Sequence, residues 1–166
     1  MSIPILLTIA AVILAAIGLL TVRPRMLRWG ATPTEVGRVM PGDDLISGPM
    51  LVTTRAITIN VGSERVWPWL AQMGQGRGGF YSYEWLENLA GLDIHNSDRI
   101  IPELQELEPG ALIPFWRGAG VNVVVAEPCR LLVLAGTLKP SRGQAAGDGD
   151  AGGTWVFSLE EPQLDR

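Results

Sequence analysis

The sequence predicts an α+β domain preceded by one transmembrane helix. Two observations lead to this fold class. The first 22 of the 166 residues contain no charged side chain, and all Lys, Arg, Asp and Glu residues follow them. After that segment a β-rich stretch comes first, helical patterns follow, and short apolar runs separated by turn residues come last. Helices followed by antiparallel hairpins indicate an α+β domain rather than a doubly wound sheet.

The apolar segment 3–22 is predicted to be a membrane anchor. A helix of this length spans about 30 Å, the thickness of the hydrocarbon core of a bilayer. A cleaved signal peptide would need basic residues before the apolar run, and only Met1 and Ser2 precede it. A buried helix of a soluble protein is the third interpretation. No second sustained apolar run follows, so we expect a single-pass anchor over residues 1–22.

Arginines follow the anchor at positions 23, 25 and 28. Because basic residues next to a membrane span stay on the cytoplasmic side, we expect a cell-membrane protein whose soluble part faces the cytoplasm. Pro24 is expected to end the helix, and Trp29 to lie at the level of the lipid headgroups. The single cysteine, Cys129, excludes an internal disulfide and fits a reducing compartment.

Residues 23–50 are predicted to form an irregular juxtamembrane arm, because residues 29–49 are dense in Gly, Pro, Thr and Asp. The β-branched stretch Leu51–Val61 predicts a strand. Ser63 is the expected N-cap of a helix that runs to about Met73, with Pro68 inside it.

The rest of the chain predicts a glycine-rich loop, short helices and hairpins. Residues 74–79 form the loop, Tyr83–Leu89 a short helix closed by Gly91, and Ile100–Leu107 an amphipathic piece. Four short strands are expected in the C-terminal part. They are Leu112–Trp116, Val121–Ala126, Leu131–Ala135 and Thr154–Leu159, with turns at Gly118–Gly120 and at Glu127-Pro128 and a polar loop over Ser141–Gly153.

Composition and motifs exclude several function classes. A net charge of −4 argues against nucleic-acid binding. The glycine loop lacks a following Lys-Ser/Thr and comes after a helix, so it does not predict a nucleotide site. Asp93, His95 and Asp98 are closely spaced, but one His and one Cys do not make a metal site. Ser82, His95 and Asp93 lack the elbow of a nucleophilic hydrolase. We therefore predict no metal, no other cofactor and no catalytic set.

Aromatic residues are the informative feature. Six Trp residues, together with Phe80, Tyr81 and Tyr83, exceed what a small core usually needs. Aromatic walls with a few polar groups are typical of a cavity for an apolar ligand. Ordinary core packing explains the same rings and stays open as an alternative.

Three stretches resemble a group of small bacterial proteins in the polyketide-cyclase/START-like (SRPBCC) superfamily. They are TRAITI from Thr54, VWPWLAQMGQGRGGFYSYEWLENLAGLDIHN from Val66, and RIIPELQELEPG from Arg99. The resemblance covers about residues 28–159, and members of the group often carry an N-terminal membrane segment. It implies a helix-grip fold, in which an antiparallel sheet wraps around a long C-terminal helix and encloses a deep apolar cavity. It also implies binding of lipids, polyketides or other hydrophobic molecules, and in some members cyclase or dehydratase chemistry.

The resemblance defines residues 51–166 as a START-like domain. Such a domain has further strands and the long helix after the position of Leu159, and only seven residues follow it here. We therefore expect a truncated fragment that lacks the grip helix; the alternative is that another polypeptide or the bilayer covers the open sheet face.

The sequence thus predicts a membrane-anchored protein that binds a hydrophobic small molecule or a lipid. One alternative is a cyclase- or dehydratase-type enzyme on the same scaffold, in which His95 with Asp93 or Glu87 transfers protons. Another is a membrane-tethered module that docks a protein partner, whose identity the sequence leaves open. The predicted ligand-binding residues are Trp69, Phe80, Tyr81, Tyr83, Trp85 and Trp116 for the wall, and Arg55, Arg77 and His95 for polar contacts.

Overall fold

The computed structural model describes residues 3–116, 119–137 and 152–161. It contains a four-stranded antiparallel sheet, short helices and an apolar N-terminal helix, which confirms the α+β class. The chain forms two compact units. The first unit is Met1–Val39 with Gly48–Thr58, and the second is Met40–Ser47 with Ile59–Arg166.

The N-terminal helix runs without interruption over Ile3–Leu27 and is long and apolar enough to cross a membrane. It consists of α1 (Ile3–Ile17), a π-helical segment (Gly18–Val22) and α2 (Arg23–Leu27). The expected helix end at Pro24 is therefore wrong. The amide of Arg23 donates to the carbonyl of Gly18, five residues earlier, and such a wide turn accommodates a proline that has no N–H to donate.

The predicted strand Leu51–Val61 is also wrong: this segment is in no strand of the described structure. Only its amides at Thr54 and Ala56 pair, and they donate to the carbonyls of Leu27 and Trp29 at 3.0 and 3.2 Å. A strand needs a continuous ladder as well as β-branched residues. The two segments approach so closely that a Cβ at Gly30, whose φ is +74°, would collide with the carbonyl oxygen of Ala56.

Short helical turns occur in the arm that was expected to be irregular. Helix α3 (Pro33–Val36) has a capping box, in which the Thr32 hydroxyl accepts from the amide of Glu35 and the Glu35 carboxylate accepts from the amide of Thr32. A 3₁₀ turn covers Asp43–Leu45.

Helix α4 (Ser63–Ala71) confirms the predicted helix, and Pro68 is tolerated inside it. Its N-cap is Gly62 and not Ser63, and no side chain caps the first turn. The Glu64 carboxylate lies where a Cβ at residue 62 would be, but it is the end of a flexible, exposed side chain that can move aside, so space does not require glycine here. Pro68 costs little because the helix is fixed by its buried side chains, Trp67 and Ala71.

Helix α5 (Glu84–Leu89) confirms the second predicted helix, and Gly91 follows it with a φ of +74°. The amphipathic piece contains a 3₁₀ turn over Pro102–Leu104.

The four predicted strands are present as one antiparallel meander in the order β1-β2-β3-β4. The expected turn at residues 118–120 is wrong in part, since Ala119 and Gly120 pair with β1, and the second turn spans Glu127 to Arg130. Gly118, the loop 138–151 and residues 162–166 lie outside the described residues. The strands are β1 (Leu112–Trp116), β2 (Ala119–Glu127), β3 (Leu131–Thr137) and β4 (Gly152–Ser158).

Strand β3 is buried on both faces. On one face Leu132 and Leu134 share a core with Trp67 and Ala71 of α4. On the other face Val133 lies so close to Gly42 that a Cβ there would be 2.7 Å from Val133 Cγ1. A continuous apolar run such as LLVL is typical of a strand that is covered on both sides.

The sheet curves toward the face that carries α4. Phe115 on the first edge strand and Trp155 on the last have ring centroids only 6.4 Å apart. In a flat sheet these strands would be about 14 Å apart, three interstrand spacings. Register shifts between Pro114 and Trp116 and between Val123 and Val125 supply the bending.

Candidate functional site

Four aromatic rings meet on the curved face of the sheet. Phe80 lies 4.9 Å from Phe115 and 6.5 Å from Trp155, and Trp155 lies 4.7 Å from Phe157. We call Phe80, Phe115, Trp155 and Phe157 the four-ring patch. Phe115 and Trp155 remain 43% and 40% exposed. Half-exposed rings in mutual contact form a surface on which an apolar molecule can lose its water.

Of the predicted wall residues, only Phe80 belongs to this patch. Phe115, Trp155 and Phe157 were missed, because each was assigned only to a strand. The sequence did contain a signal for two of them. Trp155 and Phe157 are two residues apart in a predicted strand and therefore lie on the same face of the sheet. Phe115 lies at a register shift, where strand alternation does not predict the side.

Trp69 and Tyr81 form a separate aromatic pair with a centroid distance of 5.5 Å. The Tyr81 hydroxyl accepts a hydrogen bond from Gln72 Nε2 at 2.6 Å, and partial burial raises the pKa of the Tyr81 phenol. Tyr81 has a φ of +57°, a conformation that non-glycine residues rarely adopt. The amide of Tyr81 donates to Asn96 Oδ1 at 2.8 Å, which helps to hold this backbone.

Gln72 is fully buried and joins three loop segments. Besides Tyr81, its Nε2 donates to the carbonyl of Arg99 at 3.0 Å, and its Oε1 accepts from the amide of Ile101 at 2.9 Å. Gln105 Nε2 approaches the same Oε1 at 3.3 Å. No sequence signal distinguished this glutamine from a solvent-exposed residue at the end of α4.

Arg77 was predicted to make a polar contact to a ligand. In the structure its side chain binds backbone carbonyls of the protein itself. Its guanidinium donates to the carbonyls of Met73 at 3.0 Å, Ala71 at 3.0 Å and Leu104 at 3.4 Å. Burial lowers the pKa of Arg77. The side chain closes the glycine loop, in which Gly74 and Gly79 form a β-bridge.

His95 lies between two carboxylates on the surface. Nδ1 is 3.3 Å from Glu84 Oε1, and Nε2 is 3.2 Å from Asp93 Oδ1. Glu84 first and Asp93 second raise the pKa of His95. The pKa of Glu84 is lowered, chiefly by the hydrogen bond from the amide of Asn96 and then by His95. Both ring nitrogens therefore have a carboxylate oxygen within about hydrogen-bonding distance, on a side chain that is 72% exposed.

Glu87 does not join His95. Its Oε1 accepts from the Ser82 hydroxyl at 2.6 Å. Its Oε2 is buried and has no hydrogen-bond partner, the only such side-chain atom in the described part of the chain. Within the ranges that the structure describes, no three His, Cys, Asp or Glu side chains converge as metal ligands.

The remaining predicted residues are dispersed. Tyr83 and Trp85 at helix α5 are 72% and 69% exposed, outside the four-ring patch. The side chain of Trp116 lies outside the described part. Arg55 belongs to the first unit, where it lines a hollow with the N-terminal helix.

Two open hollows flank the C-terminal half of the N-terminal helix. The first, of about 480 Å³, is lined by apolar residues between Ala15 and Leu27 and by Arg23 and Arg55. The second, of about 560 Å³, lies along residues 20–30 and includes Arg25 and Arg28. The first combines an apolar floor with two guanidinium groups, whereas in the second Arg25 already donates to the carbonyl of Thr21.

No family model, no curated protein and no solved structure matches this chain.

Proposed function

We propose that the chain is a membrane-anchored START-like domain that binds an apolar or amphipathic small molecule, a lipid or a polyketide-like compound, at the four-ring patch. The patch carries the proposal. Its rings come from both edges of a curved sheet and from the loop at Phe80, and two of them are about 40% exposed. Covering such rings with an apolar ligand removes their surface from water, which favours binding.

The N-terminal helix supports the anchoring part of the proposal. Its length and composition suit a single bilayer crossing, and Arg23, Arg25 and Arg28 follow the apolar segment. Basic residues at that end favour a cytoplasmic location for the part of the chain that follows them. An anchored domain meets lipid-soluble molecules at high local concentration.

Binding without catalysis is favoured over acid–base chemistry on the same scaffold. A general base needs a nitrogen or oxygen free to reach a substrate proton. Both nitrogens of His95 face carboxylates, Glu87 Oε1 accepts from Ser82, and Glu87 Oε2 has no partner among the described residues but is buried away from solvent.

Photo-crosslinking in a lipid nanodisc tests the proposal. The full chain is reconstituted in phosphatidylcholine and exposed to a diazirine-bearing palmitic acid, and the labelled peptides are mapped by mass spectrometry. We expect label on peptides that contain β1 and β4. The double variant Phe115→Ala/Trp155→Ala should reduce that label at least about fivefold, because each ring contributes on the order of 1 kcal/mol or more of apolar contact.

The matched control is Tyr83→Ala/Trp85→Ala, which also removes two rings but from the exposed surface at α5. Its labelling should equal that of the unsubstituted chain. Label confined to residues 3–27, or an equal loss in both double variants, contradicts the proposed site. A circular dichroism melt of each variant separates lost binding from lost folding.

A further inference from the structure

The first hollow beside the N-terminal helix has the chemistry of an anionic lipid site. Its floor is formed by apolar residues of the helix, among them Leu19, Val22 and Met26. Arg23 from the helix and Arg55 from a segment distant in sequence complete its lining. The hollow lies entirely within the first compact unit.

Positive charge at this hollow is uncompensated. In the described residues neither Arg23 nor Arg55 has an ion pair or a side-chain hydrogen bond, and no acidic residue lines the hollow. Glu35 is the only acidic residue of the first unit, and its carboxylate accepts from Thr32 in the capping box. The arginines of this unit are Arg23, Arg25, Arg28, Arg38 and Arg55.

The position along the helix matches the depth of a bilayer. From Ile3 to Arg23 the helix rises about 30 Å, so an inserted helix places Arg23 at the boundary between hydrocarbon and headgroups. The apolar lining, from Ala15 to Val22, then lies beside acyl chains. Arg55, which lines the same hollow, adds a second guanidinium from outside the helix.

We propose that this hollow binds one anionic phospholipid, with an acyl chain along the helix and the headgroup phosphate between Arg23 and Arg55. The inference rests on the membrane anchor of the proposed function and is independent of the four-ring patch. A guanidinium pair binds phosphate oxygens through charge-assisted, often bidentate hydrogen bonds. The quaternary ammonium of a phosphatidylcholine headgroup is repelled by the same two charges, so we expect discrimination against it.

Arg25 on the same helix and Arg28 just after its end provide the comparison. Arg25 Nη1 donates to the carbonyl of Thr21 at 2.8 Å, and both arginines line the second hollow instead of the first. Arg28→Gln therefore removes one positive charge from the same unit without touching the proposed site. Arg65→Gln, on the exposed face of α4, is a control in the other unit.

Native mass spectrometry of the full chain, released from nanodiscs of equal parts phosphatidylglycerol and phosphatidylcholine, tests the site. We expect one retained phosphatidylglycerol per chain. Arg23→Gln and Arg55→Gln should each lower its retention about fivefold, the effect typical of one basic residue near an anionic leaflet. Arg28→Gln and Arg65→Gln should retain it. An excess of inorganic phosphate should not displace it, because free phosphate lacks the acyl chain.

Three results would overturn the inference. They are equal retention of the two lipids, an Arg28→Gln loss as large as the Arg55→Gln loss, which would indicate general electrostatic attraction, and displacement by inorganic phosphate. Carbonate extraction of the reconstituted chain identifies which proposal fails. A chain that extracts into the soluble fraction contradicts the anchor itself, whereas an inserted chain without lipid preference contradicts only this site.

Discussion

At the residue scale, the described loops are held mainly by side chains that bind backbone groups. Asn88 accepts from the amide of Ile94 at 2.7 Å and donates to its carbonyl at 2.9 Å, and Asn96 accepts from the amides of Phe80 and Tyr81. Such bonds allow a loop without regular structure to bury its polar backbone atoms. Arg77 and Tyr81, which the sequence predicted as ligand-binding residues, likewise use their polar groups for hydrogen bonds within this part of the fold.

Gln72 is the residue whose loss should cost most. Gln72→Met keeps the approximate volume but leaves the amide of Ile101, the carbonyl of Arg99 and the Tyr81 hydroxyl without this partner. We expect the free energy of unfolding to fall by about 3 kcal/mol, measured by urea denaturation of the full chain in detergent. Arg99→Gln is the control, since Gln72 binds only the backbone carbonyl of residue 99 and not its side chain. Equal stability of the two variants would contradict the role assigned to Gln72.

His95 should make stability pH-dependent. Its pKa is raised by Glu84 and Asp93, so its contribution is fully present below the ordinary histidine pKa and is lost as the pH rises through the raised value. Because it is the only histidine, one NMR resonance reports its titration. We expect a midpoint above 6.5, lowered in Glu84→Gln and unchanged in the control Glu103→Gln, whose carboxylate does not act on the pKa of His95. A midpoint at or below 6.5 in the unsubstituted chain would contradict this arrangement.

At the element scale, the sequence patterns predicted the helices and hairpins correctly, but they did not predict which extended segments pair as strands. The helix expected from Ser63 to about Met73 is present as α4, and short apolar runs between turn residues were sufficient to predict the four strands. Leu51–Val61 failed, because β-branched residues specify an extended backbone but not the neighbour that completes a ladder. Three members of the four-ring patch were missed for a related reason. The patch depends on sheet curvature, which arises from register shifts that the sequence does not show.

Gly136 tests how closely strands β2 and β3 approach each other. A Cβ at residue 136 would lie 2.8 Å from Val121 Cγ1 and 3.0 Å from the carbonyl oxygen of Gly120. We expect Gly136→Ala to destabilise the chain by about 1–3 kcal/mol in urea denaturation, because backbone must shift. Gly153 pairs directly with Gly136 and has nothing within 4 Å of an added Cβ.

The matched variant Gly153→Ala should therefore be neutral or slightly stabilising, since alanine lowers the entropy of the unfolded chain. If both alanine variants behave alike, the close approach of β2 and β3 at Gly136 is not as described.

At the scale of the whole molecule, the two compact units differ in the sign of their net charge. The first unit has five arginines and one glutamate, whereas acidic residues outnumber basic ones in the rest of the sequence. The sequence alone predicted the apolar segment and the arginines after it. It did not predict that Arg55 joins Arg23 at one hollow, because the two are separated by an arm with no periodic pattern.

A charge in the middle of the apolar segment should prevent stable insertion. Val12→Lys places an ammonium near the centre of the predicted span, at a cost of about 2.5–3.5 kcal/mol. We expect the carbonate-resistant fraction of the full chain to fall strongly. Met26→Lys, at the headgroup end, should insert normally because its ammonium can reach water. Equal insertion of both variants would show that residues 3–22 do not cross the bilayer.

The wide turn at Gly18–Val22 sets the angular position of everything after it. One such turn is equivalent to a single extra residue in the helix, and each residue advances a helix by about 100°. Restoring a regular α-helix without removing a residue would therefore rotate Arg23 by roughly a quarter of a turn relative to Ala15, whereas removing Leu20 at the same time would leave Arg23 on its present side. The π-helical segment thus keeps Ala15 and Arg23, which line the same hollow, on one side of the helix.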